Sequence, residues 1–153
     1  MQITDTLAKL VSEALESTQY SGSLPAGGDV EIKIERPKLA EHGDFSTSLP
    51  LALARTMRMA PMQIAEAIAA AVPEHHMVGA VTHAAPGFVN FTLSTEWLQS
   101  QVDAVRSAGE DYGSVDVGAG QSVQVEFVSV NPTGPLHVGH ARGAVIGSSL
   151  ANV

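Results

Sequence analysis

Residues 123–153 read VQVEFVSVNPTGPLHVGHARGAVIGSSLANV, and this stretch decides how the rest of the chain is interpreted. Its first part is a nearly continuous run of apolar, mostly β-branched residues, which is typical of a parallel strand buried on both faces. A turn rich in proline and glycine follows, and then an apolar segment with the character of a helix. The order of strand, turn and helix indicates a nucleotide-binding unit, because free N–H groups at a helix N-terminus attract phosphate.

The start of the predicted helix carries polar groups suited to a nucleotide. His137 and His140 lie three residues apart, so they project to one side and can donate hydrogen bonds to phosphate oxygens. Gly139 leaves the backbone bare, so a flat ring such as adenine can approach it closely. Glu126 interrupts the apolar run, where a carboxylate is costly unless it is paired or lies near the strand's carboxyl end, beside a ligand. The spacing alone also fits ordinary helix-terminus or core histidines, and it supports no zinc site.

The first 108 residues have the patterns of an α+β domain. Apolar periodicity predicts helices over residues 4–17, 46–59 (with its first turn near Leu49), 61–72 and 95–108. Alternation predicts strands over residues 29–35, 78–84 and 88–93, the last two pairing as a hairpin. This order is not a regular βαβ repeat, which favours an antiparallel sheet with flanking helices.

Three finer expectations concern the ends of these elements. Ser94 is predicted to cap the last helix, whose inner face would carry Trp97, Leu98, Val102 and Val105. Asp44 and Phe45 are predicted to form a capped turn with a core aromatic. Residues 109–121 are rich in glycine and aspartate, and we interpret them as a linker between a domain over residues 1–108 and the start of another over residues 122–153.

Composition narrows the class of protein. The formal net charge of −8 argues against a wholly basic nucleic-acid-binding surface, and the absence of cysteine fits a reducing compartment. The sequence shows neither a signal peptide nor a transmembrane stretch, so we expect a cytoplasmic protein without a membrane partner. Five of the eight basic residues share one short window, which is either a solvated face or a local basic surface: Lys33, Arg36, Lys38, Arg55 and Arg58.

A family resemblance rests on three segments. HVGH, residues 137–140, resembles the HIGH motif of class I aminoacyl-tRNA synthetases, and EFVSVNPTGPLHVGHARGAVIG around it resembles the arginyl-tRNA synthetase version. HGDFS, residues 42–46, and PGFVNF, residues 86–91, are similar to segments of that family's N-terminal additional domain. The resemblance implies an ATP-dependent arginine-tRNA ligase of protein biosynthesis whose Rossmann-type catalytic domain begins with the first strand and helix near residue 122.

The resemblance also implies roles for individual residues. The substrates would be arginine, ATP with its Mg²⁺, and tRNA(Arg). His137 and His140 would be catalytic, contacting the ATP phosphates in the transition state of adenylate formation. The other expected contacts fall into two groups: Pro132, Thr133 and Gly139 with ATP, and Glu126, Ser129 and Asn131 with arginine.

The N-terminal domain of this family binds the tRNA elbow and reads a D-loop nucleotide, and Phe88 and Asn90 match an aromatic-x-Asn position used there. An aromatic face can stack on an unpaired base while an amide bonds its edge. Strand alternation puts these two residues on one face and Val89 and Phe91 on the other, so burial of the second face would leave the first free for RNA. The alternative is that Phe88 is an ordinary core aromatic.

The chain ends soon after the predicted nucleotide-binding helix begins, without a second nucleotide-binding motif. We therefore expect an N-terminal fragment that is inactive alone, whereas the full-length enzyme would be monomeric. The orphaned strand is expected to be disordered, to fold back on the first domain, or to pair with another copy so that the fragment self-associates. Two rival hypotheses stay open: a free-standing RNA-binding module derived from a synthetase, and a different nucleotidyltransferase with a HIGH motif.

Overall fold

The computed structural model describes residues 3–27, 30–115, 118–131 and 133–152. The chain divides into two compact units, with the division between Glu110 and Asp111. Its helices and strands, in chain order, are α1 (Ile3–Tyr20), β1 (Phe45–Thr47), α2 (Leu49–Met57), α3 (Pro61–Ala71), β2 (Val78–Ala84), β3 (Phe88–Leu93), α4 (Thr95–Ala108) and α5 (Val138–Ala151). Single 3₁₀ turns occur at Ala40–His42 and Gly109–Asp111.

The first unit is built on a three-stranded antiparallel sheet in the order β1-β3-β2. The predicted hairpin of β2 and β3 is confirmed, and β3 is the central strand. Asn90 of β3 pairs with Ser46 of β1 on one side and with Thr82 of β2 on the other. Side chains alternate along each strand, so the residues of β3 divide between two faces of the sheet.

One face of the sheet is covered by helices. The helix α3 packs against α1, α2, β2 and β3, and α2 also contacts β3. Val89 and Phe91 point into this core and are fully buried, as the alternation predicted. The largest other side chains with no exposure are aliphatic and come from the helices and one loop: Leu7, Val11, Leu24, Leu53, Ile64 and Ile68.

A tight turn holds β3 against the segment before β1. Gly43 has φ 83° and ψ −160°, which is a conformation open almost only to glycine. A Cβ at this position would lie 2.6 Å from the Phe91 carbonyl oxygen. Next to it, the Asp44 N–H donates to that carbonyl (2.8 Å), and Asp44 Oδ2 accepts from the Leu93 N–H (2.8 Å). Phe45 is 6% exposed, so the predicted core aromatic is confirmed, whereas Asp44 bonds the main chain of β3 and does not cap its own turn.

The predicted strand over residues 29–35 is wrong except at its end. Asp29 lies outside the described residues, and from residue 30 onward only Glu35 pairs, in an isolated bridge to Ser46. The alternation was real, since Val30, Ile32 and Ile34 are half-buried against the core. These side chains anchor the segment without a continuous backbone ladder, and Pro37 has no N–H with which to extend one.

Two helix predictions need correction. Residues 45–47 form β1, and α2 begins only at Leu49, near the first turn expected from Pro50. The Ser94 cap of α4 is confirmed, because its hydroxyl accepts from the Trp97 N–H at 3.3 Å. Of the predicted inner face of α4, Trp97 packs against the core. The prediction is wrong for the rest of that face, because Leu98, Val102 and Val105 are 45%, 59% and 39% exposed. Periodicity identified an apolar face but could not show whether anything covers it.

The second unit contains the predicted helix but not the predicted strand. The helix α5 spans Val138–Ala151, whereas no residue from Gln121 to Asn131 belongs to a strand. Val128 has φ 59°, which interrupts an extended run. A strand requires a partner backbone, and the described part of this unit offers none. Phe127 instead packs against Gly147 of α5, so closely that a Cβ there would lie 2.0 Å from Phe127 Cβ.

Candidate nucleic-acid interface

A cavity of about 400 Å³ lies in the first unit, and it contains both residues that the sequence assigned to RNA. Its walls come from the sheet and from the segment between residues 35 and 42. The lining residues are Glu35, Arg36, Pro37, Lys38, Leu39, His42, Ser46, Ala84, Ala85, Phe88 and Asn90. The site therefore combines an aromatic ring, a side-chain amide and two cations.

Asn90 occupies the central strand, between Ser46 and Thr82, on the face away from the helices. The residue is only 4% exposed, yet its amide hydrogen-bonds to no other described residue. None of its polar atoms is sealed from solvent without a partner. The amide thus keeps a donor and an acceptor available to whatever enters the cavity.

The expectation of an open RNA-binding face on β3 is wrong. Burial of Val89, Phe91 and Leu93 is confirmed, but Asn90 is buried too and Phe88 is half-buried. The cause is the segment before β1, which lies beside the same face and converts it into a cavity. The alternation of residues along β3 could not predict the cavity, because the covering segment is more than forty residues away in sequence.

The covering segment is fixed by paired backbone bonds. The Glu35 N–H donates to the Ser46 carbonyl (2.9 Å), and the Ser46 N–H donates back to the Glu35 carbonyl (2.8 Å). Pro37 then sets its own φ and restricts Arg36 to extended conformations. Arg36 and Lys38 are exposed and line the cavity. The basic window pointed to these two residues, and the HGDFS segment includes His42 and Ser46, whereas the two alanines carried no recognisable signal.

The predicted ATP-binding histidines are brought together at the start of α5. Their rings stack with centroids 3.7 Å apart and an interplanar angle of 28°. The Gly139 N–H donates to His137 Nδ1 (3.1 Å), and the His137 N–H donates to His140 Nδ1 (3.3 Å). Because both Nδ1 atoms accept, a neutral ring carries its proton on Nε2. The pair therefore offers Nε2–H donors next to the N-terminus of a helix.

The predicted arginine-binding residues are only partly brought together. The Ser129 hydroxyl donates to Glu126 Oε1, so these two side chains are in direct contact. Asn131 and Thr133 are exposed, and Pro132 lies outside the described residues. The described part of the second unit thus supplies a carboxylate and a hydroxyl side by side, without a strand to align the rest.

A larger concavity, of about 620 Å³, runs along β2 and the segment before it. His75 and His76 contribute to it, with ring centroids 4.4 Å apart. His75 Nδ1 accepts from the Met77 N–H at 3.2 Å, which uses one imidazole nitrogen locally. None of the described residues that the sequence singled out lines this concavity. Among the described residues there is no cluster of three or more metal-ligating side chains, and no helix long and apolar enough to cross a membrane.

Two solved structures of arginyl-tRNA synthetases have a similar fold. The chain superposes on the arginyl-tRNA synthetase of Plasmodium falciparum with a TM-score of 0.72 and 15% identity, covering 97% of this chain and 27% of that one. For the arginyl-tRNA synthetase of Thermus thermophilus the TM-score is 0.55 at 24% identity, covering 98% of this chain and 23% of that one. At these identities the likeness concerns the fold.

The family follows from sequence comparison. Residues 5–93 match the family model of the arginyl tRNA synthetase N terminal domain. The chain is 42% identical over 153 residues to an arginine–tRNA ligase of Dehalococcoides mccartyi, covering 100% of this chain and 27% of that protein. It is 43% identical over 149 residues to an arginine–tRNA ligase of Thioalkalivibrio sulfidiphilus, covering 97% of this chain and 25% of that protein. The chain therefore belongs to the arginyl-tRNA synthetase family, and it spans about a quarter of the length of these curated relatives.

Proposed function

We propose that this chain is the N-terminal part of an arginine-tRNA ligase and that its first unit binds tRNA(Arg). The observation that carries the proposal is the cavity containing Phe88 and Asn90. No polar atom of the Asn90 amide is sealed from solvent without a partner, so a base edge that enters the cavity can replace water as its hydrogen-bond partner. An unpaired base has both the π-face that Phe88 can stack on and the polar edge that Asn90 can bond.

The second unit contributes the start of the catalytic site in this proposal. His137 and His140 supply Nε2–H donors for ATP phosphates, and Gly139 contacts the adenine. Glu126, Ser129 and Asn131 hold arginine, whose planar guanidinium suits a carboxylate. The arginine carboxylate attacks the α-phosphorus of ATP and pyrophosphate leaves. A ribose hydroxyl of the terminal adenosine of the tRNA then attacks the carbonyl carbon of arginyl-adenylate, and AMP leaves. The remaining catalytic machinery belongs to the larger part of the relatives' length that this chain does not span.

Binding of a tRNA(Arg) transcript to the 153-residue chain tests the first part of the proposal. Asn90→Ala should weaken binding about fivefold, because one hydrogen bond to a base edge contributes roughly 1 kcal/mol. Asn90→Leu should weaken it equally, since leucine fills the volume but offers no amide. Fluorescence anisotropy measures both dissociation constants.

Thr92→Ala is the matched control, because Thr92 is exposed on the same strand and does not line the cavity. It should bind tRNA like the unaltered chain. If both Asn90 variants bind as tightly as the control, the cavity is not the tRNA site and the proposal fails.

A further inference from the structure

The cavity has a charged wall that base recognition alone does not explain. Arg36 and Lys38 both line it and are exposed. Neither forms an ion pair in the described parts of the chain, whereas nearby Lys33 pairs with Glu31 at 3.3 Å. In a chain of net charge −8, two exposed cations on one wall are a local concentration of positive charge.

Arg36 is also held in place by a neutral group. Its guanidinium carbon lies 5.4 Å from the centroid of the Phe45 ring. A cation–π contact orients the guanidinium without neutralising its charge, so the group stays available to an anion. Glu35 is a third charged residue of this wall and reduces the positive charge without cancelling it, because two cations are set against one carboxylate.

The opposite parts of the cavity suit a base and not a phosphate. On the side of the β2–β3 hairpin, Ala84, Ala85 and Phe88 provide apolar lining, and Asn90 provides the one side-chain amide. A nucleotide placed with its base on this side necessarily carries its sugar and phosphates toward the solvent, where the exposed cations lie. RNA loops present unstacked bases in this manner, with the backbone phosphates left outside the base pocket.

We propose, on the basis of the proposed tRNA-binding function, that Arg36 and Lys38 bind the backbone phosphates that flank the nucleotide whose base enters the cavity. The site then selects a looped-out nucleotide in two ways: the cavity binds its base, and Arg36 and Lys38 bind the flanking phosphates. Lys33, although it belongs to the same basic window, makes no such contact.

The dependence of tRNA binding on salt tests this assignment in the 153-residue chain. Each phosphate contact releases condensed counterions, so its loss lowers the slope of log K against log salt by about 0.7 to 0.9. Arg36→Gln and Lys38→Gln should each reduce the slope by that amount. Arg36→Lys and Lys38→Arg retain the charge and should leave it unchanged. Lys33→Gln is the control, because Lys33 is a neighbouring exposed lysine that is already paired.

Two outcomes overturn the assignment. If Lys33→Gln lowers the slope as much as the other two, the effect is diffuse electrostatics and the wall is no phosphate site. If neither Arg36→Gln nor Lys38→Gln changes the slope while Asn90→Ala still weakens binding, the phosphate contacts are wrong and the tRNA-binding function stands. If Asn90→Ala is also without effect, the proposed function itself fails.

Discussion

At the scale of single residues, the two units present polar groups in different ways. Asn90 is buried in the central strand between Ser46 and Thr82, and its amide forms no hydrogen bond with another described residue. The side chains of His137 and His140 are oriented by the backbone at the N-terminus of α5, where two main-chain N–H groups donate to their Nδ1 atoms. The first arrangement depends on tertiary structure, and the second is almost entirely local.

The histidine arrangement leads to a kinetic prediction for the full-length ligase. His140→Ala should slow arginyl-adenylate formation by about a hundredfold or more, because a donor aimed at developing phosphate charge typically contributes that much. Pyrophosphate exchange with arginine and tRNA present measures this step. His76→Ala removes an exposed histidine of the first unit and is the control. An unchanged exchange rate in the His140 variant would remove this residue from the catalytic assignment.

At the scale of elements, β3 is the part on which the cavity depends. It is the central strand, with β1 on one side and β2 on the other, and the Gly43-Asp44 turn bonds its main chain at Phe91 and Leu93. This turn therefore fixes the strand that carries Phe88 and Asn90. A substitution in the turn should therefore shift β3 and alter the positions of Phe88 and Asn90 in the proposed RNA site.

Two glycines with positive φ allow the turn to be tested. Gly43→Ala places a Cβ 2.6 Å from the Phe91 carbonyl oxygen, whereas Gly22 has φ 77° with nothing within 4 Å. Gly22→Ala should cost about 1 kcal/mol of unfolding free energy, from backbone strain alone. Gly43→Ala should cost at least about 1 kcal/mol more, because β3 must also shift. Urea denaturation gives both values, and equal losses would show that the turn does not clamp the strand.

The elements also show what the sequence could predict. Strong local signals were sufficient for α1, α3, the hairpin and α5, because periodicity, proline and a cap each act within a few residues. The pattern failed where the outcome depends on a partner. Residues 30–34 and 123–130 alternate or run apolar as strands do, yet the described chain gives them no ladder, and α4 exposes its apolar face. Phe88 and Asn90 of the proposed RNA site were predicted from the sequence. The cavity that contains them was not predicted, because one of its walls is the segment between residues 35 and 42, which is distant in sequence.

At the scale of the molecule, the two units are unequal. Every buried core side chain of the described residues, from Leu7 to Leu93, belongs to the first unit. The second unit has one helix and buries only Gly147 among its described residues. In the proposed function, the first unit therefore holds a complete recognition site, whereas the proposed catalytic residues of the second unit act only together with the remainder of a longer ligase. This matches the share of about a quarter of its relatives' length that the chain spans.

The central claim is that the Asn90 amide bonds one looped-out tRNA nucleotide, and a double-mutant cycle tests it most directly. The 153-residue chain and its Asn90→Ala variant are each titrated with tRNA(Arg) and with tRNA(Arg) in which single D-loop nucleotides are made abasic in turn. We predict that at one D-loop position the abasic tRNA binds both proteins equally, because the bond that Asn90 makes is already lost. If the effects of Asn90→Ala and of every abasic position simply add, the amide contacts no D-loop base and the account is contradicted.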